Sequence, residues 1–191
     1  DTDTVEAFNN LIPGAFKADL FRYCYLYIKG GVYSDIDNIC LAPLDDFLYD
    51  DDAFVSVKDR VIYGQRLIYN AFMAVEKNHP VLKKAIDLTV HNAINSLYPN
   101  SGKIAIDILD VSGPKCLATA LNSYKETKFR LLDIRDEGPW SPRGITHIKT
   151  NDGKVVIKVK YHGYRTEDNY VRLFKNKQIY NNQKLEAIKT F

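Results

Sequence analysis

The chain has 191 residues, 46% of them apolar and 26% charged, with 26 Lys and Arg against 24 Asp and Glu. That is enough chain for one self-sufficient core, and its charge is too evenly balanced for a dedicated nucleic-acid binder. No apolar run approaches the ~20 residues of a membrane span, and no signal or transit segment is visible, so the expected location is cytoplasmic. Three cysteines, Cys24, Cys40 and Cys116, cannot all pair within one chain and none sits in a C-x-x-C, which points to a reducing compartment. Charge is uneven along the chain: residues 1–59 carry a net −8 and residues 154–191 a net +6. Either the two ends lie side by side and neutralise each other, or an acidic metal site faces a basic wall that receives an anion. The arithmetic alone favours the first.

Thr2, Asp3 or Thr4 is placed to cap a short helix running to Leu11, with Glu6 in capping-box position, and Pro13-Gly14 breaks it. Phe16, Leu20, Tyr23, Cys24, Tyr27 and Ile28 then recur at helical spacing, which predicts a helix over 15–29 with Gly30 as its stop. Gly31-Val32-Tyr33-Ser34-Asp35 reads as a tight turn into a short strand. The acid-rich stretch after Pro43 reads as a surface loop. Residues 53–57 and 71–75 have the look of short buried strands. His79-Pro80 opens a helix to about residue 97, and Ser112-Gly113-Pro114 opens another through Tyr124. Residues 129–134 form a strand. Residues 145–150 and 154–160, joined by Asn151-Asp152-Gly153, form a β-hairpin with one wet face. This alternation predicts a layered α/β fold, and the late hairpin a mixed sheet.

The chemistry centres on Asp35-Ile36-Asp37. Two carboxylates one residue apart at a strand end can hold a divalent cation, and hard oxygen ligands suit Mn²⁺ or Mg²⁺ arriving with a diphosphate. The pattern alone says little, since Asp1-Thr2-Asp3 and Asp50-Asp51-Asp52 also match it. Context separates them: a double glycine precedes Asp35-Ile36-Asp37, and Val32, Ile36 and Ile39 imply that the acids leave a core element. Asp19 and Arg22 lie upstream on one helical face. On helix reasoning alone a surface ion pair of little energetic worth accounts for them equally well.

These residues resemble a known family. Ala18-Asp19-Leu20-Phe21-Arg22-Tyr23, Leu26-Tyr27 and Gly30-Gly31-Val32-Tyr33-Ser34-Asp35-Ile36-Asp37 are similar to the sugar-binding D-x-D region of glycosyltransferases. That group includes initiating mannosyltransferases, capsule and lipopolysaccharide glycosyltransferases and the clostridial glucosylating toxins. Every keyed position of A-D-x-x-R-y-x-x-L-y-x-x-G-G-x-Y-x-D-x-D is satisfied. Asn70-Ala71-Phe72-Met73-Ala74 with His79-Pro80 is similar to the group's N-x-F-x-A … H-P segment, and Ser112-Gly113-Pro114 to its T-G-P turn. The compact form also resembles domains encoded by large DNA viruses, which would place it in host cytoplasm.

The resemblance implies a GT-A fold: a Rossmann-like nucleotide-diphospho-sugar transferase with a central mixed sheet flanked by helices. It implies a nucleotide-sugar donor, a UDP-hexose such as UDP-glucose being favoured, a glycan or other hydroxyl acceptor, Mn²⁺ or Mg²⁺, and retention at the anomeric carbon. By resemblance Asp19 and Arg22 grip the sugar hydroxyls, Asp35 serves the ribose and sugar and contributes to the metal, Asp37 is the direct metal ligand, and Tyr33 shapes the pocket. Gly113 would offer a backbone N–H to the donor. Members usually begin with an I-P-K-I-I-H-x-x-W strand that nothing here matches. The expectation is therefore one catalytic domain over 1–191, lacking its N-terminal strand or forming part of a longer protein. In place of the group's closing G-S-W element stands Tyr161-His162-Gly163-Tyr164. His162 is either the last metal or diphosphate ligand or a histidine in a polar turn.

Other features fit blander roles. His79 reads as a helix-entry residue and His91 and His147 as structural. Phe21, Tyr23, Tyr25 and Tyr27 read mostly as core packing, and Trp140 as an acceptor-stacking or self-packed loop residue. Two competing functions are a non-catalytic nucleotide-sugar-binding module and a Mg²⁺-dependent phosphohydrolase, the latter requiring Asp107 and Asp110 to join the metal.

Overall fold

The computed structural model describes residues 1–124, 129–136, 145–160 and 170–181. Helix α1 (Thr2–Asn10) is capped by Asp1, whose Oδ1 accepts from the Thr4 amide at 2.8 Å, one residue upstream of the expected caps. Helix α2 (Gly14–Lys29) ends as expected at Gly30, where φ is +69°. An added Cβ there would lie 2.9 Å from the Lys77 amide nitrogen, so only glycine permits this close approach. Strands β1 (Gly31–Ser34) and β2 (Asn38–Cys40) follow, then β3 (Phe54–Ile62) and β4 (Gln65–Val75). Three helices come next, α3 (Pro80–Ile94), α4 (Ile104–Asp110) and α5 (Pro114–Asn122). Strands β5 (Arg130–Asp136), β6 (Ile145–Lys149) and β7 (Val155–Lys160) and helix α6 (Tyr170–Lys175) complete the described elements.

The expected short strands at 53–57 and 71–75 are the far ends of one long hairpin, β3–β4. Its turn residues Tyr63 and Gly64 both have positive φ, 49° and 76°, as a two-residue turn matched to strand twist requires. The seven strands form one sheet in the order β1-β4-β3-β5-β6-β7-β2. Only β3 and β5 run parallel, with β4, α3, α4 and α5 between them in the chain; every other pairing of the described strands is antiparallel. The central mixed sheet, its helices and the late β6–β7 hairpin are as the sequence implied.

The helices bury Leu20, Leu26 and Leu82 against Phe54, Met73 and Val75 of the sheet. Removing each such leucine from water contributes ~1.5–3 kcal/mol. A second core holds Val57, Phe72, Leu132 and Val156 around Phe47. Two expectations about packing fail. Phe21 and Tyr25 lie on the outer face of α2, exposed, while Tyr23 is fully buried. Val32, Ile36 and Ile39 are also exposed, Ile36 to 99%. The acids are therefore anchored not by apolar neighbours but by the main chain: the Asp35 amide donates to the Ala71 carbonyl (2.9 Å) and the Lys160 amide to the Asp37 carbonyl (2.9 Å).

Two features position the site. The first is a break in the β3–β4 ladder. Val55 pairs with Ala74 but Val57 pairs with Tyr69, so one residue of β3 faces four of β4 and residues 70–73 bulge away from the strand. The second is topological. β1 and β2 are consecutive in sequence yet stand at the two ends of the strand order. Seven flat strands would span roughly 29 Å, whereas the link from Ser34 to Asn38 reaches at most about 14 Å. The sheet curls, and its margins meet at residues 35–37.

Candidate functional site

Asp19 and Arg22 sit one turn apart on the inward face of α2, 8% and 6% exposed, so the surface ion pair is excluded. Their mutual contact is long, 3.7 Å between Arg22 Nη2 and Asp19 Oδ1. Each is held by other groups. Asp19 Oδ1 accepts from Asn70 Nδ2 (2.8 Å) and Oδ2 from Ser112 Oγ (2.8 Å). Arg22 Nη1 donates to the Asn70 carbonyl (3.0 Å) and lies 3.3 Å from Asp35 Oδ1. The guanidinium also stacks 4.6 Å from the Tyr33 ring centroid. Tyr33 donates its hydroxyl to Asp35 Oδ1 at 2.7 Å. Behind them Tyr23 donates to the Ser112 carbonyl (2.8 Å) and accepts from Asn70 Nδ2 (2.9 Å).

Electrostatics follow this arrangement. Burial pushes the Asp19 carboxyl above its ordinary value, and Arg22, Ser112 and Asn70 offset that only in part. Burial disfavours the Arg22 charge, but Asp19 and Asp35 outweigh it and hold the guanidinium protonated. Burial and the bond to Asp35 push Tyr33 up to about 12, so its hydroxyl stays a donor.

A cleft of about 290 Å³ opens onto this cluster. Asp19, Arg22, Asp35, Asp37 and Gly113 all line it, so the structure brings together every expected site residue within the described part of the chain except Tyr33, which reaches the cluster through Asp35. Gly113 sits beside the carboxylate: a Cβ there would make ordinary contact with Asp19 Oδ2 at 3.5 Å and would crowd the Leu109 carbonyl at 3.3 Å. His162 and Trp140 fall outside the described residues; Lys160, two residues before His162, is bonded to the Asp37 carbonyl. Asp107 and Asp110 do not line the cleft. Asp107 instead accepts from the Ser101 amide (2.8 Å), so neither of the two acids expected of a phosphohydrolase joins the cleft.

Asp59, Tyr69, Asn70 and Ser112 belong to the site and were not singled out as site residues from sequence. Asn70 and Ser112 stood inside matched motifs, N-x-F-x-A and S-G-P, which was the available signal. Asp59 and Tyr69 had none. His79 keeps its expected place at a helix entry, its Nδ1 accepting from the Val81 amide at 3.3 Å. The basic C-terminal stretch meets an acid just before β7, where Lys154 Nζ sits 2.8 Å from Asp46 Oδ2.

Asp35 and Asp37 offer hard oxygen donors on one cleft wall, a set that fits Mn²⁺ or Mg²⁺. Among the described residues no three acids, histidines or cysteines converge closely enough to hold a metal alone. A metal held by Asp35 and Asp37 would need further ligands from water or a bound ligand, the usual arrangement for Mg²⁺.

Parts of the chain are similar to known glycosyltransferases. Residues 1–55 match the family model described as a glycosyltransferase sugar-binding region containing a DXD motif. The initiation-specific alpha-1,6-mannosyltransferase of Candida albicans is 36% identical over 58 residues, covering 30% of this chain and 15% of that protein. An uncharacterized glycosyltransferase of Acanthamoeba polyphaga mimivirus is 39% identical over 67 residues, covering 35% of this chain and 26% of that protein. Among solved structures, the PaToxG glycosyltransferase aligns with a TM-score of 0.45 at 28% identity, over 57% of this chain and 34% of that one. The chain thus spans about a quarter or less of these two curated relatives. No helix among the described residues is long and apolar enough to cross a membrane. Residues 1–55 are thus similar to the glycosyltransferase sugar-binding region containing a DXD motif.

Proposed function

We propose that the protein is a metal-dependent retaining glycosyltransferase that moves a hexose from a nucleotide diphosphate sugar, UDP-glucose or a related UDP-hexose, to a hydroxyl of a glycan or similar acceptor. One observation carries this reading. A buried carboxylate, Asp19, and a buried guanidinium, Arg22, are pre-oriented by Asn70 and Ser112 at the wall of the cleft that Asp35 and Asp37 also line. A sugar presents hydroxyls that both donate and accept; Asp19 accepts and Arg22 donates. Holding these groups in place before the sugar arrives is what makes such contacts effective.

In this reading Asp19 and Arg22 orient the hexose, with Tyr33 and Asp35 closing the pocket around it. Asp35 and Asp37 would hold Mn²⁺ or Mg²⁺, and His162 would be a further ligand. Gly113 lets the chain approach the donor closely beside Asp19. The bound metal supplies neutralisation of the charge that builds on the diphosphate. The acceptor oxygen bonds the anomeric carbon from the face the diphosphate leaves, and its proton passes to a diphosphate oxygen. This path needs no covalent enzyme nucleophile.

The test is a panel of nucleotide sugars with Mn²⁺, read by thermal shift and by release of free hexose. A donor that binds only the native state raises its stability in proportion to affinity and concentration. A UDP-hexose is expected to give the largest shift and measurable hydrolysis. Binding without turnover under any acceptor would favour the non-catalytic module, and no shift with any nucleotide sugar would refute the reading.

A further inference from the structure

We infer that Ser56 is a positioning residue for the donor-sugar groups, acting at a distance through the bulge in β4; this rests on the glycosyltransferase reading above. Ser56 is the one residue of β3 that faces residues 70–73. It is fully buried, between Phe54 and Val55 on one side and Val57 on the other, all three of them core. A hydroxyl in such surroundings costs free energy unless it is hydrogen-bonded. Here the single Ser56 hydroxyl proton is shared between the Tyr69 carbonyl, 2.9 Å away just before the bulge, and the Phe72 carbonyl, 3.2 Å away within it. The side chain clasps the neck of the loop that β4 throws toward α2.

Three charged groups of the site, Asp19, Arg22 and Asp35, are fastened to that loop. The Asn70 side chain donates to Asp19, and its carbonyl accepts from Arg22. The Ala71 carbonyl accepts from the Asp35 amide (2.9 Å) and from Asn38 Nδ2 (2.8 Å). A regular ladder would turn some of these groups toward β3 and away from the cleft. Without the hydroxyl the two neck carbonyls lose a partner and the loop is free to shift. Asp19, Arg22 and Asp35 would then lose a common register rather than any single contact.

Two measurements on Ser56→Ala separate this from plain structural support. The first uses no ligand: hydrogen exchange at the Asp35 amide. Exchange there is expected to rise tenfold or more, while amides of the β6–β7 hairpin stay within twofold of the parent. The second is calorimetry with Mn²⁺. The ratio of UDP-glucose affinity to UDP affinity is expected to fall fivefold or more, with UDP itself within twofold. Ser56→Thr, which keeps the hydroxyl, should return both readouts toward the parent; should the alanine variant not fold, Ser56→Cys, with similar volume and a weak donor, carries the test. Unchanged Asp35 exchange in a folded variant overturns the proposal, as does a uniform acceleration across the whole sheet. If the parent prefers no nucleotide sugar over its nucleotide, the glycosyltransferase reading fails, and the exchange result still decides whether Ser56 pins the loop.

Discussion

Asp19→Asn should separate folding from sugar recognition. The amide keeps the shape of the carboxylate: its oxygen can accept from Asn70 Nδ2, and its nitrogen can donate to Ser112 Oγ, replacing the two 2.8 Å bonds. Burial raises the Asp19 carboxyl above its ordinary value, so the folded state holds the proton more tightly than the unfolded one. Ionised Asp19 therefore costs stability at neutral pH, a cost that vanishes as pH falls through the folded value toward the unfolded one. The amide removes that cost. Against this, Arg22 loses a carboxylate 3.7 Å away but keeps Asp35 at 3.3 Å and the Asn70 carbonyl at 3.0 Å. The net change in stability should stay within about 1 kcal/mol. Asp19→Ala, by contrast, orphans two buried donors at ~1–3 kcal/mol each. For function, a hydrogen bond from a sugar hydroxyl to a charged acceptor is worth ~1.5–3 kcal/mol, which converts to about 10- to 150-fold in affinity. Calorimetry with Mn²⁺ should show that loss for UDP-glucose and leave UDP within twofold. Equal weakening of both ligands, or an intact preference for the sugar, would refute the assignment, because the comparison is made within one folded variant.

Asp37→Ala is expected to abolish Mn²⁺-dependent donor hydrolysis with a native circular-dichroism spectrum, whereas the exposed Asp51→Ala should leave activity unchanged. UDP should bind more tightly than GDP in calorimetry with Mn²⁺; the opposite order would point to a mannose-type donor. Asp52, unlike its neighbour Asp51, is structural: Arg130 grips both its oxygens and the Phe47 carbonyl, and the Tyr49 amide adds a bond at 2.8 Å. Burial pushes its carboxyl up, but these bonds outweigh it and hold the carboxyl below the ordinary value. The stability it contributes is thus present above about pH 4 and lost as pH falls through the folded value. Asp52→Asn should lower the melting temperature at pH 7 and narrow the parent–variant gap in acid.

What could be read beforehand divides by range. The helix at Asp19 and Arg22, its stop at Gly30 and the paired acids are local matters of spacing and backbone freedom, and they stand where they were expected. The β3–β4 hairpin was underestimated because Lys58-Asp59-Arg60 and Gln65-Arg66 break its apolar alternation, and Tyr63-Gly64 is not a common turn pair. The roles of Asn70 and Ser112 depend on partners 51 and 93 residues away, which no periodicity reports. Exposed Phe21 and Tyr25 misled in the opposite sense: an apolar stripe shows what an element is able to bury, not what it does bury. The helices α4 and α6, seven and six residues long, are too short for a periodic signal.

The curled sheet gives the Asp35–Asp37 turn a mechanical standing that a surface loop lacks. One side is fastened to β4 through the Asp35 amide and the other to β7 through the Asp37 carbonyl. The turn works as a buckle joining the first and last strands of a seven-membered belt. Whatever tightens the buckle should be felt first at the margins it joins, β1 and β2. Conversely, thermal fraying of the outermost strands loosens the two acids before the central strands open. If the donor binds as proposed, its affinity and the integrity of the sheet margins are one equilibrium seen from two sides.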